Sequence, residues 1–446
     1  MTNQSSRRDP RSQHGSTAAP MSYRRRLVPG LAIVCGILAV SACNFDVTNP
    51  GPTQDEFLDD TAAFTAQVNG IALALGDAMN YTALQGAIVT RELFPTGMTG
   101  QFGVEPHNMF GELVPDEQGD PWSNGQQARW LAAQALERFR KVLDEAEFNS
   151  SPEVARAELW QGYSNRFMGE NMCQSVIDGG APTPSTDYLH KADSAFTAAI
   201  ATAQAASLPE VVTAATAGRA AVRMDLGDWE GALADAAQVP TDFAFEMPYF
   251  DIGDEYGYNR VYWSSTSASF NKATSVWGTV YESYYRQYDD PRVAWDSTGL
   301  VGIGAVTGIG PIPWYPQMKY TAKTSAMNLA TGREMRLIEA EAALRNHQWP
   351  DAMSIIDGLR LAIGVAAWPT PADENEAWKY LKRERGVELW LEARRLNDLR
   401  RWKAEGTPGD LDPLEEPGAA SHLTSQDLCF PFSRSEMDTN PNIPTS

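Results

Sequence analysis

Residues 383–402, RERGVELWLEARRLNDLRRW, set six arginines beside Glu384, Glu388, Glu392 and Asp398 in a chain whose formal net charge is −21. Guanidinium groups at this density could grip an anionic ligand or pair with the carboxylates among them. The four acids leave the segment only +2. On a helix Arg385 lies three residues before Glu388, Glu392 three before Arg395, and Arg395 three before Asp398, one turn apart in each case. Val387 and Leu391 share a face with Glu384, Glu388 and Arg395, and charge interleaved with a buried stripe persists only when it is paired. Arginine suits such pairing because its planar fork can meet a carboxylate bidentately. The segment therefore reads as an internal ion network of Glu384, Arg385, Glu388, Glu392, Arg395 and Asp398 that fixes how its helix docks, rather than as an anion patch.

Other chemistry finds little support. Two carboxylates at a workable separation could hydrolyse a glycoside, but among 57 acidic residues some such pair always exists, so the count decides nothing. Neither HExxH nor GxSxG occurs, and GIGAVTG at residues 302–308 is not a dinucleotide-binding loop. The five histidines form no cluster, with His107 and His347 reading as turn residues. No catalytic residue, metal ligand or cofactor is assigned.

The amino terminus reads as an address. Arg24, Arg25 and Arg26 precede an apolar run over residues 27–40, too short for a comfortable membrane span of ~20 residues. AVSAC at residues 39–43 resembles a bacterial lipobox, which makes Cys43 the lipidated first residue of the mature chain and residues 1–42 a signal peptide, with Met21 a natural start. The removed segment holds six arginines and one aspartate, so the net charge falls from −21 to −26. Nucleic acid is a poor partner for so acidic a protein, because affinity for it comes largely from cations neutralising phosphates. Residues 43–55 read as a tether. Of the remaining cysteines, Cys35 leaves with the signal, and Cys173 and Cys429 stay in a compartment that permits a disulfide between them. Neither has a CxxC partner or a nearby histidine for a metal.

Periodicity predicts helices over 56–80, 125–145, 152–170, 188–206, 211–225, 229–237, 333–346, 350–363 and 375–404. AAVRMDLGDWEGALADA and AEAALRNHQWPDAMSII each run a helix into a short turn, then place Trp229 or Trp349 three residues before Ala232 or Ala352. An alanine there lets two helices approach closely, as in a tetratricopeptide-like repeat or any tight antiparallel pair. The fold class is mostly α: one domain over 56–446, with helical repeats at about 56–238 and 333–404. Between them, residues 240–332 are rich in aromatics, Gly, Pro and Ser with little period, and long irregular segments of this kind are usually functional.

ERGVELWLEARRLNDLRRW resembles the signature of the SusD/RagB family of outer-membrane nutrient-binding lipoproteins, through Glu384, Arg385, Glu388, Leu389, Glu392, Arg395, Asp398, Leu399, Arg401 and Trp402. REMRLIEAEAALRN is similar to the family's repeat helix through Arg336, Glu339 and Glu341, and CFPFSRSEMDTNPNIP to its closing motif through Pro431, Glu436, Asn440 and Pro441, with Phe432 where a small aliphatic is usual. The lipobox and NPGPTQDEF fit the same pattern. The resemblance implies a SusD-like α-α superhelix of four tetratricopeptide-like units, anchored by lipid at the outer membrane and cell surface. It further implies a lid on a SusC-like TonB-dependent transporter, capturing oligosaccharide or peptide without catalysing a reaction. The family's ligand contacts lie in variable loops, so candidates come from the irregular region itself: Trp263, Trp277, Trp314 and Tyr315. A two-carboxylate glycan hydrolase and a tetratricopeptide protein scaffold are the rival readings.

Overall fold

A computed structural model of the protein describes residues 55–97, 104–253, 257–265, 272–306 and 308–444. The signal segment, Cys43 and the tether up to residue 54 lie outside the described residues. The helices are α1 (Phe64–Val89), α2 (Gly119–Val142), α3 (Glu145–Phe148), α4 (Pro152–Asn171), α5 (Thr186–Ala205), α6 (Pro209–Asp225), α7 (Trp229–Ala236), α8 (Arg260–Ser265), α9 (Val280–Tyr288), α10 (Gly332–Arg345), α11 (Trp349–Ala362), α12 (Glu374–Glu388), α13 (Arg395–Glu405) and α14 (Arg434–Thr439). The strands are short: β1 (Phe94–Pro95), β2 (Gln174–Ser175), β3 (Thr183–Pro184), β4 (Ala244–Met247), β5 (Thr274–Ser275), β6 (Val301–Val306), β7 (Gly310–Pro313) and β8 (Met327–Thr331). They form four antiparallel pairs, β1 with β5, β2 with β3, β4 with β8 and β6 with β7. The molecule is thus mostly α, as its periodicity predicts. Among the described residues no helix is long and apolar enough to cross a membrane.

Local chemistry marks the helix starts. Ser151 Oγ accepts from Val154 N ahead of Pro152, Asp228 caps α7 through Gly231 N, Thr331 caps α10 through Glu334 N, and Asp373 caps α12 through Glu376 N. α4, α5 and α6 pack side by side, and so do α10, α11 and α12. Ala232 and Ala352 are fully buried where their hairpins close. Phe196 of α5 wedges between its neighbours: a Cβ on Gly162 of α4 or on Gly218 of α6 would lie 2.4 Å from its ring, so only glycine admits this approach.

The stretch 240–332, read as without period, holds α8, α9 and the β6–β7 pair, and two of the predicted helices differ in extent. The first long helix begins at Phe64 and runs on to Val89, because residues 82–89 are buried all round and so carry no amphipathic period. The helix expected over 375–404 is broken after Glu388, and Leu391 (φ 62°) and Ala393 (φ 59°) take left-handed conformations that cost a non-glycine residue roughly 1–2 kcal/mol each. Groups from elsewhere replace the lost helical bonds. Leu391 N donates to Glu92 Oε1 at 2.9 Å, Lys319 Nζ to the Trp390 carbonyl at 2.7 Å and Tyr320 Oη to the Leu391 carbonyl at 3.2 Å.

The break redirects the ion pairs, so the neighbouring-turn partners expected from helical spacing do not form. Arg385 instead grips Asp398 bidentately at 2.8 and 2.9 Å, and Arg395 donates to Glu415 at 2.6 Å. Arg401 pairs with Glu341 of α10 at 2.5 and 2.9 Å. Farther along, Arg166 joins Glu170 at 2.5 Å to Glu334 at 2.8 Å, tying α4 to α10. Sγ of Cys173 and Sγ of Cys429 are bonded, fastening the end of α4 to the carboxy-terminal segment.

Glu92, at the joint, is fully enclosed, and burial pushes its carboxyl up from 4.5 to about 7 against the Leu391 N–H and the charges of Arg395 and Lys319. A raised folded-state pKa means that the folded chain holds a proton which the unfolded chain has released between pH 4.5 and 7. Stability from this group is therefore complete below 4.5 and lost as pH rises through 7. Glu92→Gln removes that loss. Relative to wild type, its unfolding free energy is expected to improve by roughly 2–3 kcal/mol between pH 5 and pH 8 in denaturant titrations. A wild-type-to-variant difference that stays flat across this range rules the titration out.

Candidate ligand-binding site

The outward face of α1 carries Asn69, Leu73, Gly76 and Asp77, and residues 247–253 cross it, leaving a cleft of about 430 Å³. The floor is made by close approach: Tyr249 Oη donates to the Gly76 carbonyl at 3.1 Å, and a Cβ at Gly76 would already press on Met247 Sδ at 3.2 Å. Three apolar side chains stand into solvent at its lips, Leu73 (56% exposed), Phe250 (53%) and Ile252 (68%). Apolar side chains grouped this way around a concavity mark a binding surface more often than isolated ones do.

Gly257, at the end of the cleft, leads into a polar and aromatic cluster. Asn80 of α1 pins the next residues by donating Nδ2 to the Tyr258 carbonyl (2.8 Å) and accepting from Arg260 N (3.0 Å). Asn259 in turn holds the 323–325 loop, with its N–H on the Lys323 carbonyl at 2.8 Å and its Nδ2 on the Ser325 carbonyl at 2.9 Å. Tyr258 and Trp263 meet with ring centroids 5.4 Å apart, and Lys323 Nζ stands 4.2 Å from the Tyr258 ring centre and 3.4 Å from Asp251. The hydrogen bond to Tyr258, together with the charge of Asp251, holds the Lys323 ammonium above its usual range, and the same hydroxyl with Lys323 holds the Asp251 carboxyl below its own. Trp263 Nε1 is buried without a hydrogen-bond partner. Aromatic faces, a fixed cation, a fixed carboxylate and an apolar cleft suit a ligand with both ring faces and hydroxyl edges.

The four aromatics singled out from the sequence fall in different places. Trp263 belongs to this cluster. Trp277 meets Phe94 edge-on at 5.3 Å, and its backbone N–H donates to Ser275 Oγ. Trp314 is 7% exposed and spends Nε1 on the Ser265 carbonyl at 3.0 Å, so its ring packs inward and offers no platform. Tyr315 stacks on Trp295 at 4.7 Å, under Arg286, which lies 4.5 Å from the Trp295 ring centre. Leu73, Phe250, Ile252, Tyr258 and Lys323 were not singled out. The aromatic-rich MPYFDIGDEYGYNR pointed to their neighbourhood, and an apolar Leu73 on the solvent side of a helix was the other available signal.

The acidic residues of the 383–402 segment anchor the base of this insert. Arg292 meets Glu384 at 2.7 Å and Glu388 at 2.6 Å, while Lys319 and Asn328 reach Glu392 at 2.6 and 2.7 Å. Partners drawn from 292–328 thus tie the loops that carry the site to α12 and the break after it. Among the described residues no group of three or more His, Cys, Asp or Glu could hold a metal ion.

A helical-repeat scaffold presenting an irregular aromatic insert defines the class. Residues 259–443 match the SusD family. Solved structures extend the likeness over nearly the whole chain. A laminarin-binding SusD-like protein matches with TM-score 0.62 at 13% identity, covering 86% of this chain and 98% of its own. The surface glycan-binding protein A from Bacteroides uniformis matches with TM-score 0.59 at 12% identity, covering 85% and 99%. A SusD-like carbohydrate-binding protein from Bacteroides vulgatus matches with TM-score 0.55 at 15% identity, covering 86% and 97%. At these identities the likeness is one of fold. A search of the curated proteins finds no match.

Proposed function

We propose that the protein is a non-catalytic nutrient-binding lipoprotein, acylated at Cys43 and held at the outer membrane on the cell surface. It captures an oligosaccharide in the cleft between α1 and residues 247–253 and hands it to a SusC-like TonB-dependent transporter. The observation that carries the reading is the exposed trio Leu73, Phe250 and Ile252 beside Tyr258, Trp263 and the Asp251–Lys323 pair. Sugar rings stack on such apolar and aromatic surfaces while the fixed charges bond their hydroxyls. The family match over residues 259–443 and the glycan ligands named for proteins of the same fold support it.

Calorimetry with laminarihexaose, cellohexaose and maltohexaose is the test. Binding of at least one is expected, with Phe250→Ala and Trp263→Ala each weakening it roughly tenfold, the loss of one stacking surface, and Trp314→Phe leaving it unchanged. Affinity indifferent to both of the first two variants moves the site elsewhere, and the appearance of new reducing ends during incubation makes the protein a hydrolase instead. Copurification of a large β-barrel from membranes is expected for the transporter partner, whereas recovery of only soluble periplasmic proteins favours a scaffold.

A further inference from the structure

α4 is the floor of a second, polar cavity of about 580 Å³, walled by α2 and α5. Glu158, Gln161 and Asn165 recur at one face of α4 and line it. Glu158 is 6% exposed and Asn165 2%, yet Glu158 Oε2 and Asn165 Oδ1 have no hydrogen-bond partner. Buried polar atoms are seldom left so, and orphans lining a cavity point to a ligand that completes them.

The walls are cationic. Arg140 of α2 lies 4.1 Å from the Phe148 ring centre, and His190 and Lys191 project from α5. Arg129 meets Asp178 at 2.8 Å, but neither Arg140 nor Lys191 is in a salt bridge with a described carboxylate. Against these stand Asp178, already engaged, and Glu158, whose carboxyl burial pushes up to about 7 while its hydrogen bond with Thr202 and the charge of Arg140 pull the other way. In a chain of net charge −21 this is a pocket of unpaired positive charge whose one buried acid can hold a proton near neutrality.

We infer that this trough binds a carboxylate-bearing sugar, a uronic acid residue, with the carboxylate on Arg140 and Lys191 and the ring hydroxyls on Asn165 and Glu158. The choice of a sugar rests on the glycan-binding reading of the protein. The trough itself adds the acidic group, because a bare anion brings no donor to Asn165 Oδ1 and a neutral glycan leaves the cations idle. The negative charge of the bound ligand favours protonated Glu158, which then donates to a ring hydroxyl, so binding takes up a proton and weakens as pH rises through the titration of Glu158.

Calorimetry on the full chain with digalacturonate, laminaribiose and trialanine tests this. Digalacturonate is expected to bind roughly tenfold more tightly at pH 6 than at pH 8. Arg140→Ala abolishes that binding and spares neutral glucan at the Phe250 cleft, and Glu158→Gln binds digalacturonate without the pH dependence. The inference is overturned if digalacturonate does not bind, if its binding ignores pH or Arg140, or if trialanine or laminaribiose competes for the trough equally well. Neutral glucans that bind while digalacturonate does not sink the trough alone; failure of the neutral glucans also removes the glycan reading beneath it.

Discussion

Glu341→Gln is expected to lower the unfolding free energy at pH 7 by about 3–5 kcal/mol, the range for removing one partner from a buried ion pair. The carboxylate is wholly enclosed and has four partners: Arg401 Nη1 and Nη2 at 2.5 and 2.9 Å, Arg345 at 3.0 Å and Trp402 Nε1 at 3.1 Å, with Arg385 at 3.9 Å beyond them. Burial by itself would raise its pKa, but Arg401, Arg385 and Arg345 outweigh that and hold it at about 2. An amide of the same shape cannot answer those charges. Arg401 is left with the longer contacts to Asp398 at 3.3 Å, Asp225 at 3.5 Å and Glu405 at 3.8 Å, and Arg385 with Asp398 alone at close range, so two buried arginines lose the carboxylate they share. The sign with pH follows from the depressed pKa. The contribution of Glu341 is complete above pH 4.5 and is lost as pH falls toward 2, so the gap between wild type and variant narrows at pH 3. Denaturant titrations at pH 7 and pH 3 read both values; an equal gap at the two pH values would mean that shape, and not charge, is what the substitution removes. Glu341→Leu combined with Arg401→Met recovers part of the loss if the penalty is an orphaned charge.

The sequence carried the helical hairpins and pointed toward the neighbourhood of the candidate site, and missed what depends on distant groups. Trp229 with Ala232 and Trp349 with Ala352 are local signals, since a small residue at a helix crossing and an aromatic beside the turn are enough to draw the hairpin. The break at residues 389–394 has no such signal: neither glycine nor proline marks it, and it exists because Glu92, Lys319 and Tyr320 supply hydrogen bonds from far along the chain. That one miss propagates. Once the chain turns, Arg385 faces Asp398 instead of Glu388, and Glu388 is free to receive Arg292 and Arg333. Spacing rules assign ion pairs correctly only while the helix continues. In the site, composition pointed to residues 240–332, but the exposure of individual rings is decided by what packs over them. Trp314 turns inward onto the Ser265 carbonyl, whereas Phe250 is left out over α1, and nothing in their own sequence neighbours distinguishes the two.

Replacing both Cys173 and Cys429 by serine is expected to cost about 2–5 kcal/mol, the usual range for a disulfide closing a long loop. The two residues are 256 apart, so the bond forbids the unfolded chain a large share of its conformations. In the folded state the same junction is held without it. Phe430 is fully buried, Cys173 N donates to its carbonyl at 2.9 Å and Phe430 N to the Asn171 carbonyl at 2.8 Å, and Arg400 caps the Met172 and Gly169 carbonyls. Beyond the bridge, Trp122 meets Phe432 edge-on at 5.1 Å and donates to Glu436, and Asn440 reaches the Gly180 carbonyl. Because the native contacts persist, the serine variant should bind ligand with unchanged affinity while unfolding at a lower denaturant concentration, and reduction of the wild type should reproduce the shift. The alternative is that the bond secures only the terminal segment. Limited proteolysis would then trim the chain beyond residue 430 in the variant while the global midpoint stays where it was, and the entropic account of this bridge would be wrong.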